Sequence, residues 1–591
     1  MAVSESPAIT IKEIDLTGVV PNVGSTTGAF VGNFNWGPVD SPTLVSDEAG
    51  LVSIFGSPTK DNTIDFHSAA YFLRYASSLY IVREATQRDS DGLGGEGDTI
   101  NAYDNFVDSS TVRGLQPRVK NRVSFDFQAA ALDSANHTFM AKYPGVLGNS
   151  LKVSWLSADS ASTSAFDSWT YATSFDGAPI TSDYASARGA LHDEVHVVVI
   201  DEDGAFSGAR GTVLETFAFA STASDAKATD GTSNYIIDVI NDRSKYIWMA
   251  GFGDLADSDW GANVGTAATN AKNYRLGTPA ERTISLVSGT NSAALTTSEY
   301  ATGFDRFEDV DNIQVDFLIA PGMASRSDQT TVVNDLISIA QSTRKDCVVV
   351  ASPARSDVVT STTPNVDIVS TAKTLTYSSY LFMDNNYLKV YDKYNDQYIK
   401  IPAASSTAGI MVASDNDTAA WFSPAGQRRG VYLGVTSLVY TPNKTERDLL
   451  YRNGVNPVAN IPGQGILLYG DKTHMSRPSA FDRINVRRLF LVVERAIAIA
   501  ARNVMFEFND EFTRAEFKNI VEPFLREIKG RRGITDFRVV ADETNNTSAV
   551  IDRNEFICSI FIKPARSINF VTLNFVAVRT GVSFDEVVGT V

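Results

Sequence analysis

Residues 316–353 read DFLIAPGMASRSDQTTVVNDLISIAQSTRKDCVVVASP. Two apolar runs, DFLIAPG and CVVVASP, flank a segment whose apolar residues recur at helical spacing from Gln329 to Thr343. A short continuous apolar run that ends in Pro or Gly reads as a strand buried on both faces, and strand–helix–strand repetition implies a parallel sheet. Working outward, GAFVGNF at 28–34 and SLYIVRE at 78–84 are two more such strands. DFHSAAYFLRYA, Asp65 to Ala76, lies between them as a helix with Asp65 expected at its N-cap. The expected class is therefore α/β.

From about Ile100 to Thr290 the pattern changes. The chain becomes rich in Ser, Thr, Ala and Asp, with VHVVVI at 195–200 as a strand, a turn at Asp201–Gly204 and a return over Gly211–Phe219. A β-rich insertion is the reading. Asp201, Asp203 and Gly204 lack the further ligands and the late Glu of a calcium loop, so a hairpin turn is preferred. After Gly470 come a long helix, about Asp482 to Asn503, and a second, about Thr513 to Lys529. Thr513 and Glu516 are spaced as a capping box. Two strands, Glu555–Lys563 and Ile568–Arg579, are expected to join at Pro564.

The chain ends are β-patterned. Ile9 and Ile11 alternate with polar neighbours, as do Ile14 and Leu16 after a one-residue slip that suggests a bulge. Val582, Phe584, Val587 and Val588 form a similar run near the end. Neither has an obvious local sheet. Two readings stand: strands added to another sheet, or unstructured ends.

Composition excludes several classes. The chain has 591 residues, more than one core usually serves, so three or four domains are expected. Its net charge of -18 argues against a nucleic-acid binder. The charge is uneven: residues 91–300 hold 14 Lys and Arg against 26 Asp and Glu, whereas residues 471–591 hold 18 against 16. No run reaches the ~20 apolar residues of a spanning helix. The first residues lack the basic and apolar regions of a signal peptide. The two cysteines, Cys347 and Cys558, are expected as free thiols.

Chemistry is sparse. Gly92, Gly94 and Gly97 match G-x-G-x-x-G spacing, but no tight strand-to-helix turn surrounds them, and Asp91, Glu96 and Asp98 would repel phosphate. The five histidines, at 67, 137, 192, 196 and 474, form no HExxH. His192 and His196 flank a strand, which gives poor metal geometry. No P-loop, CxxC or G-x-S-x-G is present. No catalytic, cofactor-binding or metal-ligating residue is assigned, and no cofactor is expected.

Five stretches carry a resemblance. PAITIKEIDLTGVV (7–20) with TGAFVGNFNWGPVDSPTLV (27–45) and LVSIFG (51–56) is similar to the opening of contractile phage tail sheath proteins. DTAAWFSPAGQRRG (417–430), LLYRNGVNPVANIPGQGILLYGDKT (449–473) and INVRRLFLVVERAIAIAARNVMFEFND (484–510) match later in that family's order. Residues 197–248, from VVVIDEDGAFSG to SKYIW, resemble the T-even type. Tyr469 stands where the family has tryptophan.

The resemblance implies a subtilisin-like α/β core at 21–90 and 301–470, with an inserted outer β-rich domain at 91–300. A C-terminal α+β domain at 471–579 would face an inner tube, and extended arms at 1–20 and 580–591 would flank these domains. It further implies hexameric rings stacked helically around an inner tail tube, with baseplate and tail terminator proteins as partners, no direct nucleic-acid contact and no membrane insertion. Such a sheath contracts to drive the tube through the host envelope and deliver the genome. The virion tail, assembled in host cytoplasm, would be its location. The implied arm residues are Ile9, Ile11, Ile14, Leu16, Val582, Phe584, Val587 and Val588. Candidate tube contacts are Arg514, Lys518, Lys529, Arg531 and Arg532, which read equally well as the solvated face of a helix. Other readings are a bacteriocin or secretion-machine sheath, a capsid or adhesin subunit and a subtilisin-like hydrolase. The 190-residue scale of the insert favours a phage, and the histidine census opposes the hydrolase.

Overall fold

The computed structural model describes residues 26–86, 99–104, 117–134, 137–158, 162–252, 281–291 and 294–569. The chain divides into two compact units. The larger comprises Gly24–Ala420 and Pro424–Arg487; the other comprises Met1–Val23, Trp421–Ser423 and Arg488–Val591.

The larger unit is built on a six-stranded sheet, in the order Leu381–Met383, Val348–Ala351, Phe317–Ile319, Gly28–Gly32, Leu79–Arg83 and Thr43–Val45. The first five run parallel, in registers such as Phe317 opposite Val348 and Gly28 opposite both Phe317 and Leu79. Thr43–Val45 closes one edge antiparallel. All five residues of Gly28–Gly32 are buried, as the apolar run GAFVG requires.

Helices cover both faces. Val332, Leu336, Ile368 and Phe304 pack on the face carrying Ala29, Val31, Leu318 and Val349. On the other side the helix Ala404–Asp417 (ASSTAGIMVASDND) lies against the helix Thr63–Leu73. Its small side chains allow a close approach: a Cβ at Gly409 would stand 2.5 Å from the Tyr75 ring.

Local chemistry explains where two helices depart from expectation. The expected helix at Gln329–Thr343 starts at Arg326, because Ser325 caps it by accepting from Asp328 N–H, and it ends in a π-helical stretch, Ile339–Arg344. Asp65 is not an N-cap. It lies inside the helix, where its carboxylate accepts from Asn33 N–H at 2.9 Å and from the Tyr300 hydroxyl at 3.2 Å. Long-range partners have taken the oxygens that would have capped the helix.

The insertion forms an antiparallel seven-stranded sheet. Its order is Thr212–Ser221, Glu194–Asp201, Leu151–Ser157, Glu281–Val287, Tyr103–Asp104, Phe139–Ala141 and Ile247–Met249. Trp155, Val197, Phe139 and Ile247 fill one face. The hairpin after Val195–Ile200 is present, but its connection runs from 202 to 211. Asp201 organises it by accepting from Ser150 Oγ and from the N–H groups of Ala205, Phe206 and Ser207. Its carboxylate oxygens are thereby used for a loop and not for a cation.

Candidate assembly surface

The smaller unit carries the residues that the sequence marks for contact. Its first helix, Ile484–Arg502, crosses into it from Arg488 onward, and its second is Glu511–Gly530. The second helix is capped by Asp510, whose carboxylate accepts from Thr513 N–H at 2.8 Å. The expected Thr513/Glu516 capping box is therefore replaced, because the chain enters the helix earlier. Phe517, Val521, Leu525 and Ile528 are buried at helical spacing, and Ala496 and Ala500 pack with Ile520 and Phe524.

The strand Ser559–Pro564 pairs antiparallel with Ile534–Val540, an alternating stretch (ITDFRVV) not expected as a strand. The expected partner, Ile568–Arg579, lies outside the described residues beyond Asn569. Among the described residues this sheet has two strands, so each strand has an outer edge unpaired.

Trp421 anchors the helix end. Its indole N–H donates to Arg531 O at 3.2 Å. A Cβ at Gly533 would fall 3.1 Å from its ring and 2.7 Å from Ile528 Cγ2, so a larger residue there would have to displace one of them. This gives the WFSPAG stretch a packing role.

The five candidate cations differ in setting. Arg514 is buried, at 7% exposure, and donates to Asn509 Oδ1 at 2.9 Å, so it holds the loop rather than offering a charge. Lys518 pairs with Glu522 at 3.8 Å, Lys529 with Asp536 at 3.3 Å and Arg531 with Glu527 at 3.7 Å. These are exposed pairs of small individual worth. The Lys529 hydrogen bond holds the Asp536 carboxyl below its ordinary value. Arg532 is exposed with φ +66° and pairs with no carboxylate among the described residues. All eight arm residues, Ile9 to Leu16 and Val582 to Val588, lie outside the described residues.

What the sequence reading missed is apolar. Between the two helices Met505 is 58% exposed, Phe506 101% and Phe508 83%, and Phe512, in the first turn of the second helix, is 74% exposed. Phe506 sits at φ +72°, a conformation a bulky residue rarely adopts. Phe561, on the outer strand, is also exposed. Asn509 Nδ2 donates to Glu555 O at 2.7 Å, which ties this loop to the approach of that strand. The signal was present as VMFEFNDEF (504–512), three phenylalanines among acids, but it was absorbed into the helix pattern. Large exposed apolar patches are the surfaces on which contacts form.

The histidines serve packing. His474 is buried with Nε2 2.9 Å from Ala372 O and Nδ1 3.5 Å from Gly454 O, and burial lowers its pKa. His196 stacks on Phe175, accepts from Phe219 N–H at Nδ1 and donates to Gly177 O. His67 faces Thr63 O and Asp392. No cluster of three His, Cys, Asp or Glu able to hold a metal occurs among the described residues. Cys347 is buried and Cys558 half-buried, and neither forms a disulfide. No helix among the described residues is long and apolar enough to cross a membrane.

Comparison with known proteins gives a consistent picture. The family model described as phage tail sheath protein central domain matches residues 293–474, and that described as phage tail sheath C-terminal domain matches residues 476–577. The tail sheath protein of Vibrio phage KVP40 is 32% identical over 670 aligned positions, which cover 99% of each chain. The tail sheath protein of Enterobacteria phage T4 is 32% identical over 659 positions, with the same coverage. A crystal structure of a sheath tail protein from Listeria innocua shares the fold, with a TM-score of 0.52, 11% identity and coverage of 92% of this chain and 96% of that one.

Proposed function

The chain belongs to the phage tail sheath protein family, and on that premise we propose that it is the structural subunit of a contractile tail sheath. The subunits polymerise as stacked hexameric rings around an inner tail tube, and contraction of the sheath drives the tube through the host envelope to deliver the genome. Its core would take the subtilisin-like architecture that the resemblance implies, and its role is structural rather than enzymatic, which its tail sheath relatives support. The baseplate and the tail terminator bound the polymer, and the protein resides in the virion tail after assembly in host cytoplasm.

The observation that carries this reading is the sheet of Ile534–Val540 and Ser559–Pro564, whose outer edges are unpaired among the described residues. Edges of this kind bind extended segments through backbone hydrogen bonds, and alternate side chains supply specificity. The β-patterned termini, with Ile9, Ile11, Ile14 and Leu16 at one end and Val582, Phe584, Val587 and Val588 at the other, are the segments offered by neighbouring subunits. Arms that stay threaded let rings rotate as rigid bodies while remaining linked. Lys518, Lys529, Arg531 and Arg532 would face the tube, and Arg514 acts indirectly by holding its loop.

Electron microscopy of the chain expressed alone, beside a version lacking residues 1–20, tests the reading. Long hollow tubes from the intact chain and none from the truncation are expected. Absence of tubes from the intact chain, even with the tube protein added, would overturn it.

A further inference from the structure

A chain of net charge -18 that packs against copies of itself must place cations where its own acids approach. One face of the larger unit is built for this. The hairpin Tyr387–Asp392/Gln397–Pro402 buries Leu388, Val390, Ile399 and Ile401, so the intervening residues face outward. There Lys389 stands directly opposite Lys400, and Tyr391 opposite Tyr398.

Like charges directly opposite one another destabilise a sheet. The nearby Asp396 carboxylate accepts from the Tyr391 hydroxyl at 2.6 Å and forms no ion pair with either lysine among the described residues. Lys393, at the turn, pairs with Glu48 at 3.1 Å. Lys389 and Lys400 pair with no carboxylate among the described residues, and the Lys389 ammonium lies 5.0 Å from the Tyr398 ring centroid. The tyrosines are 46% and 58% exposed, their rings 5.5 Å apart. Two amines beside two half-bare aromatic rings form a face that carboxylates and an apolar side chain would complete.

The insertion of the same chain offers that complement. Over residues 164–186, Asp167, Asp176 and Asp183 are exposed and pair with no cation among the described residues, and Ile180 between them is 58% exposed. We infer that the Lys389/Lys400/Tyr391/Tyr398 face of one subunit docks on the acidic 164–186 segment of a second copy. The inference rests on the self-assembly proposed above and adds a contact between the Tyr387–Pro402 hairpin of one copy and the insertion of another, separate from the arms.

The test is charge reversal in the full chain. Tube mass is read by sedimentation and electron microscopy, and melting temperature checks the fold. K389E/K400E should melt like the parent and lose at least tenfold in polymer at physiological salt. D167K/D176K/D183K should do the same. Combining all five changes in one chain should restore tubes. Parent-like polymerisation of K389E/K400E would overturn the docking face, and a combined variant that stays soluble would overturn the acidic partner. A parent that forms no tube under any condition would instead sink the assembly reading beneath both.

Discussion

The parallel-sheet region of the larger unit and the smaller C-terminal unit treat their backbone and apolar surface in opposite ways. The sheet seats its first five strands in parallel register and buries Phe30, Leu318, Ile319 and Val350 completely. The C-terminal unit has a sheet of two described strands and leaves Phe506, Phe508 and Phe512 in solvent. A two-stranded ribbon is marginal alone and gains from further strands. The first region buries its strands within the subunit; the second, among its described residues, keeps strand edges and apolar side chains exposed, which suits a subunit that assembles with copies of itself.

The sharpest way to break this comparison is a pair of truncations of equal chemistry. Phe30→Ala should destabilise the subunit by about 3–5 kcal/mol, because it leaves a cavity in a closed core. Phe506→Ala should change subunit stability by less than about 0.5 kcal/mol yet reduce tube formation several-fold. Denaturant melts with sedimentation decide it. Equal destabilisation by both would show that the C-terminal loop is an ordinary core edge.

Next in size is a pH effect confined to the closed region. Burial raises the Asp65 carboxyl to about 6 and the Asp384 carboxyl to about 7. Asp384 is enclosed by Ser352, Thr407 and Asn386 N–H, whose hydrogen bonds only partly offset that burial. The native state therefore binds protons that the unfolded chain has released above about pH 4. The stability these two carboxyls contribute should fall as pH rises from about 4 to 7; Glu84, raised to about 9, carries the loss further, and the buried His67 and His474, whose pKa values are lowered, oppose it. Asp384→Asn should flatten that slope in melting temperature measured from pH 4 to 8. A slope unchanged by the substitution would refute the assignment.

The smallest effect concerns caps. Asp510→Ala removes the acceptor for Thr513 N–H and should cost the C-terminal unit about 1 kcal/mol. Asn443→Ala should cost the larger unit a similar amount, since Asn443 and Glu446 form a reciprocal capping box on Lys444–Arg452. Local hydrogen exchange at each helix start separates the two.

Much of the closed region was legible. GAFVG, FLI and VVVA lie among short continuous apolar runs that end in Gly or Pro, the pattern of strands covered on both faces. Its order, with Gly28–Gly32 between Phe317–Ile319 and Leu79–Arg83, was not legible, because it joins segments almost 300 residues apart. In the C-terminal unit the helices were legible from their period, to within a turn. Their cap, the strand Ile534–Val540 and the burial of Arg514 were not.

By itself the sequence determined the α/β class, the β-rich insertion, the family and the absence of recognised catalytic motifs. Each rests on local periodicity or on residue types counted along the chain. Only the tertiary structure decided that Asp65 is a buried acid rather than a cap, that Arg514 is interior and that Phe506, Phe508 and Phe512 are bare. The cause is common to all three. Burial and ionisation are set by neighbours in space, such as Tyr300 for Asp65, and one chain's spacing carries no record of which distant segment arrives.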